Sequence, residues 1–229
     1  MKTPAPTDSV LAMTRQCDST VRRLTYNITH MSDVHGKLYQ IAEGQGGYFT
    51  AQQAVDAGMD RATLRHHARP NGRYERVQRG LYRLRHFPSS PHEHVMAAWL
   101  PLCRAGAVVS HASALELYGI SDIIPTCVHV SVSRAKRGLR PREGVRVHTL
   151  GAPLLASEIR PVAGVQVTSP ERTLVDALED GVQPEQVELG IRQALDRGLT
   201  TPRRLRGAAA KRSARTRAAV EAALESGTP

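Results

Sequence analysis

GGYFTAQQAVDAGMDRATLRHHARPNGRYERVQRGLYRL, residues 46–84, decides the reading of the fold because it punctuates itself. Thr50 followed by Gln53 is a capping-box pair, in which each side chain satisfies a backbone N–H left free by the first helical turn. A helix is therefore expected from Ala51, with Ala54 and Val55 completing a narrow apolar stripe and Gly58 ending it in the left-handed conformation. Asp60 is a good N-cap for a second helix through about Ala68, with Leu64 and Ala68 facing inward and Arg61, Arg65 and Arg69 facing outward. Beyond Pro70-Asn71-Gly72, the runs Tyr74 to Val77 and Leu81 to Leu84 have strand character. They are separated by Gln78-Arg79-Gly80, where Gly80 supplies the positive φ of a three-residue hairpin.

Helix, glycine turn, helix and basic hairpin together describe a winged helix-turn-helix, whose second helix enters the major groove of DNA. Upstream, Ser32 or Asp33 can cap a helix carrying Val34, Leu38, Ile41 and Ala42 at i, i+4, i+7 and i+8, with Gly44 to stop it. Between Arg61 and Arg85 there are eight arginines and one acid, Glu75. A solvated basic face on an ordinary α/β domain is the plain alternative, but these arginines concentrate on the outer helix face and the hairpin.

Charge over the whole chain agrees. With 229 residues, a net charge of +10 and a pI near 10.1, the protein is expected to attract polyanions, nucleic acid foremost. No run of about 18 apolar residues is present, and the N-terminus has no apolar core of signal-peptide type, so a cytoplasmic protein without membrane contact is expected. Cys17, Cys103 and Cys127 are too few and too far apart for a disulfide framework or a zinc module. The close histidine sets His66-His67 and His92-x-His94 lack a cysteine or carboxylate at ligand spacing, so no metal and no cofactor are expected. Residues 1–30 lack periodicity and read as a disordered extension, and Met31 stands directly before the first capped helix as an alternative start.

After His92 the pattern becomes mixed α/β, so the fold class is α/β (α+β): a winged helix-turn-helix at 31–88, then a domain at 92–224. Expected elements are a helix from His92 to Leu102, a buried turn or strand at Ala107 to Val109, and a helix capped by Ser110 and closed by Gly119. Strands follow at Cys127 to Val132, Val145 to Thr149 and Val162 to Val167, then a helix opened by Ser169-Pro170-Glu171 with Leu174, Val175 and Leu178 inside. Helices from Pro184 to Arg197 and Pro202 to Leu224 close the chain, the latter poor in large apolar residues and hence loosely attached.

In order and spacing, FTAQQAVDAGMDRATLRHHARPNGRYERVQRGLYRL, VVSHASALELYGI, CVHVSVSRAKRGLRPREGVRVHT and VQVTSPERTLVDAL resemble the AbiEi family of type IV toxin–antitoxin systems, from about Gly47 to Arg206. The resemblance implies a winged helix that represses its own operon at inverted repeats, and a C-terminal domain opposing a toxin of nucleotidyltransferase type. Double-stranded DNA and that toxin are the partners it implies. Long relatives of this architecture continue into a nuclease-like domain, but no strand-borne Asp followed by Glu-x-Lys is found here.

The residues themselves divide the DNA contact into base-edge candidates, Arg61, Thr63, Arg65 and His66, a further DNA-binding candidate, Arg69, on the same outer face, and wing candidates, Arg73, Arg76, Gln78, Arg79 and Arg83. Arg134, Lys136, Arg137, Arg140 and Arg142 form a second basic cluster, read as a loop or a further contact surface. No catalytic set is expected. Ser110-His111 are sequence neighbours that rarely face one another, Glu171, Asp176, Glu179 and Asp180 read as a solvated helix face, and no GxxxxGK[ST] loop occurs. Two other readings stand beside the antitoxin: a stand-alone winged-helix regulator and a nucleic-acid-processing enzyme.

Overall fold

The computed structural model describes residues 33–136, 138–139 and 142–226, and the chain divides after Arg85 into two compact units. The expected N-terminal extension, Met31, Cys17, Arg137 and Arg140 lie outside the described residues.

In the first unit, helix α1 (33–43) buries Val34, Leu38 and Ala42, while Ile41 is only half-buried. Gly46 and Gly47, with φ of 62° and 86°, then turn the chain into strand β1 (Tyr48–Thr50). This strand is an element that the helix signals at Thr50 concealed. Thr50 and Gln53 exchange their capping-box bonds, Gln53 N donating to Thr50 Oγ1 at 3.1 Å and Thr50 N to Gln53 Oε1 at 2.8 Å, and α2 (Ala51–Asp56) begins there. Gly58 adopts φ 103°, and Asp60 caps α3 (Arg61–His67) by accepting from Ala62 N at 2.8 Å and Thr63 N at 2.9 Å.

Strands β2 (Tyr74–Gln78) and β3 (Leu81–Leu84) complete a three-stranded antiparallel sheet in the order β1-β3-β2. The wing turn is tighter than the letters suggested. Gln78 pairs with Leu81, leaving Arg79 and Gly80 as a two-residue loop, and the extra residue is absorbed by a bulge between Arg76 and Gln78. One core holds the unit together: Val34, Leu38 and Ala42 of α1 pack with Phe49, Ala54, Met59, Leu64, Tyr74 and Tyr82.

The second unit opens with α4 (Glu93–Trp99), where a longer helix was expected. Pro101 lacks an amide proton and crowds the preceding turn, so the chain tightens into a 3-10 helix over Leu100–Ala105. A five-stranded sheet follows in the order β6-β5-β4-β8-β7, built from β4 (Val108–Val109), β5 (Val128–Ser133), β6 (Val145–Leu150), β7 (Ile159–Val162) and β8 (Val165–Thr168). The single strand expected at 162–167 is thus a hairpin, β7 pairing with β8 antiparallel around Ala163 and Gly164, both at positive φ. β5 and β6 run parallel, with Ser131 opposite His148 and His129 opposite Arg146.

Helices α5 (His111–Tyr118), α6 (Pro170–Glu179), α7 (Pro184–Asp196), α8 (Pro202–Ala209) and α9 (Ala214–Ser226) complete the unit. The expected helix from 202 to 224 is broken in two because the Ser213 hydroxyl accepts from Thr216 N at 3.2 Å and starts a new helix. Neither half is loosely attached: Leu205 and Val220 are fully buried, Thr200 just before α8 donates to Glu171 of α6 at 3.3 Å, and Ser213 just before α9 donates to Glu179 of α6 at 2.7 Å. The alanine-rich pattern hid this attachment, which polar groups share with the few apolar ones.

Candidate functional site

Leu64 anchors α3 from below, so its neighbours on the helix circle, Arg61, Arg65 and His66, are exposed, as is Arg69 just beyond the helix end. Arg65 Nε donates back to the Arg61 carbonyl at 3.1 Å, which aligns the guanidinium along the helix surface. Thr63 differs from its expected part in base contact: its hydroxyl donates to Asp60 Oδ2 at 2.5 Å and completes the N-cap. These bonds hold the Asp60 carboxyl below its ordinary range, the Thr63 side-chain bond acting most strongly.

Beneath the helix lies a set of rings that the letters did not reveal. His35 Nδ1 is 2.5 Å from the Tyr74 hydroxyl, and the His35 and His67 rings meet edge to face at 4.7 Å. Burial, then the nearby His67 and Arg73, pushes His35 down to about 4, and burial pushes Tyr74 up to about 12. Neutral rings therefore join α1, α3 and β2 under the arginine surface at physiological pH.

On the wing, Arg73, Arg76, Gln78 and Arg79 are exposed. Arg83 instead lies half-buried on the central strand, its guanidinium 5.6 Å from the centre of the Tyr48 ring. The connection from α3 into β2 is held rigid in two ways. Any side chain at Gly72 would place its Cβ 2.1 Å from the His67 carbonyl oxygen. Arg85 also donates to the carbonyls of Gly72 at 2.6 Å, Tyr74 at 3.3 Å and Arg69 at 3.4 Å.

Of the second basic cluster, Arg134 and Lys136 form a 3-10 turn after β5, and Arg142 bridges to Val145. Of the acids read as a solvated face, Glu179 is exposed, Glu171 and Asp180 are half-buried, and Asp176 is covered. Asp176 is 4% exposed and receives Arg172 Nε at 2.6 Å and Arg212 Nη2, while Arg172 also donates to Glu158 at 3.0 Å. Burial still pushes the Asp176 carboxyl above its ordinary value, against the pull of Arg172.

Ser110 and His111 also depart from expectation. Although adjacent in sequence, their side chains meet, Ser110 Oγ lying 2.8 Å from His111 Nδ1, because His111 takes a left-handed φ of 54° at the first position of α5. Ser110 makes no side-chain cap bond and is fully buried, with Ser131 Oγ donating to it at 2.8 Å. Two more histidines close on the same spot. His148 Nε2 is 3.1 Å from His129 Nδ1, and the His111 and His148 rings stack at 3.6 Å. Burial, reinforced by neighbouring imidazoles, holds His111 down to about 2, and burial against the opposing pull of Asp180 holds His148 at about 4. Spacings of 18 and 19 residues match no ligand motif, which is why the sequence concealed the set. The available signal was the alternation of His129 with Ser131 and of Arg146 with His148 along two β-branched strands.

Residues 37–85 match the sequence profile of the family described as "Transcriptional regulator, AbiEi antitoxin". Among solved structures, the RV2827C protein from Mycobacterium tuberculosis is similar with a TM-score of 0.54 and 19% sequence identity, over 87% of this chain and 77% of that one. At this identity the likeness is one of fold. A search of curated proteins gave no match.

Proposed function

We propose that this chain, whose residues 37–85 match the profile of the AbiEi antitoxin family of transcriptional regulators, acts as such a regulator, represses its own operon and opposes a nucleotidyltransferase-type toxin. The observation that carries the reading is the exposed arginine surface of α3 and the wing, displayed by the same residues that match the family. In this arrangement Arg61, Arg65 and His66 read base edges, while Arg69, Arg73, Arg76 and Arg79 contact phosphates. Thr63, committed to the N-cap, and Arg83, stacked on Tyr48, set the shape of the surface rather than reading sequence.

Footprinting on the DNA upstream of the gene tests the regulator half. Protection of an inverted repeat is expected, and absence of protection at low salt would refute it. If about six phosphates are neutralised, log affinity should fall with log salt at a slope of roughly −5. A flat isotherm would remove the phosphate assignment. Arg65→Ala should lose about 1–3 kcal/mol at one base pair of the site while leaving nonspecific binding intact. Arg79→Ala should instead weaken all sequences equally and lower the salt slope by about one. The antitoxin half is tested by sequencing the adjoining genes and co-expressing the chain with a nucleotidyltransferase found there: restored growth is expected, and the absence of such a gene would favour the stand-alone regulator.

A further inference from the structure

We propose that His111, His129 and His148, with the Asp180 carboxylate as fourth ligand, form a binding site for a divalent transition-metal ion of the zinc class. One ligand nitrogen from each histidine lies within 4.8 Å of the others. His129 Nδ1 and His148 Nε2, 3.1 Å apart, already stand near the separation of about 3.3 Å that two ligands adopt around tetrahedral zinc with bonds of about 2.0–2.1 Å. Two such nitrogens can face each other only with a shared proton between them. A metal ion takes that proton's place.

The third nitrogen is selected by the surroundings. His111 Nδ1 is engaged by Ser110 Oγ, which leaves Nε2 as its ligand atom, and Ser131 holds Ser110 in turn. This serine relay is the outer-shell support that fixes the orientation of a metal-binding imidazole. Asp180 caps α6 beside the same spot, its Oδ2 lying 3.9 Å from the ligand nitrogen His129 Nδ1, while its Oδ1 lies 3.8 Å from His148 Nδ1, the ring nitrogen not used as ligand. Arg146 donates to Oδ1 at 2.8 Å and so leaves Oδ2 to face His129.

Charge and access fit a cation. The cluster borders a cleft of about 450 Å³ lined by Arg146, Arg172 and Arg212 together with Asp176, Glu179 and Asp180, so the arginines are balanced by carboxylates. One movement is required. The near-parallel His111 and His148 rings, 13° apart, cannot both direct an in-plane lone pair at one ion, so binding tilts His148, which sits on edge strand β6 beside the cleft. The bound ion would tie β5 and β6 to the start of α5 and the end of α6.

The test uses untagged full-length protein, stripped with chelator and titrated with Zn²⁺ and Co²⁺. One equivalent per chain is expected by elemental analysis, with a Co²⁺ visible spectrum of the intense four-coordinate type and a raised unfolding temperature. Loss of an outer-shell partner costs about 10–100-fold in affinity, so Ser110→Ala should weaken binding about 10-fold and His148→Asn by at least about 100-fold. His67→Asn, in the other histidine set, should change nothing. The proposal is overturned if wild-type protein takes up no metal or gives only a weak six-coordinate spectrum. It is equally overturned if a folded His148→Asn variant binds as before, or if His67→Asn abolishes binding.

Discussion

Replacing Asp176 by alanine is expected to destabilise the C-terminal unit by about 3 kcal/mol, which lowers its unfolding midpoint by roughly 10 °C. This carboxylate joins three parts of the chain, receiving Arg172 from its own helix and Arg212 from the turn before α9, while Arg172 reaches on to Glu158 ahead of β7. Burial already penalises the ionised carboxylate, so the triad is not a large net source of stability. Breaking it is another matter, because the guanidinium groups remain where they are. Arg172 keeps Glu158, which places the effect at the low end of the roughly 3–5 kcal/mol that follows loss of one buried partner. Calorimetry of wild-type and variant checks this. A shift of under about 2 °C would mean that Arg172 and Arg212 find solvent without cost. If the same substitution also abolished a metal-dependent cleavage of DNA, the enzyme reading would return.

Phe49→Ala should have the larger consequence for the proposed DNA binding, although no exposed arginine of α3 or the wing is touched. Phe49 is fully buried at the centre of the first unit, 5.0 Å edge to face from the Tyr74 ring and 5.7 Å in a stack with Tyr82. Its removal costs about 3–5 kcal/mol in lost transfer energy and cavity formation. At about 0.05–0.15 kcal/mol per residue, a unit of this size has roughly 3–8 kcal/mol in total. The variant is therefore expected to populate an unfolded first unit, seen as protease cleavage within residues 33–85 and loss of the operator footprint. Full protection from protease at 37 °C would show that the core can collapse around the gap.

Local signals made the first unit legible. Thr50, Gln53, Gly58 and Asp60 act within a few residues of themselves, so their letters carry the helix boundaries without knowledge of the fold. What the letters missed there was long-range: β1 gains strand identity only by pairing with β3, with Phe49 opposite Tyr82 across the intervening chain. The second unit was read less well for the same reason. Asp176, Asp180 and Arg212 look like solvated charges until the helix packing brings them under cover, and His111, His129 and His148 come from a helix start and two parallel strands. The exposed arginines of α3 and the wing were visible as a group, while the distinct positions of Thr63 and Arg83 depend on a cap bond and a neighbouring ring.

Arg85 closes the first unit in a literal sense. Three backbone carbonyls beyond the end of α3 and at the root of the wing, those of Arg69, Gly72 and Tyr74, take their side-chain donors from this one guanidinium at the end of the first unit. The angle between helix and wing is thus keyed from the far end of the unit. A truncation that stops at Leu84 would keep every exposed arginine of α3 and the wing and lose the latch that sets their spacing, whereas one that retains Arg85 keeps helix and wing in register.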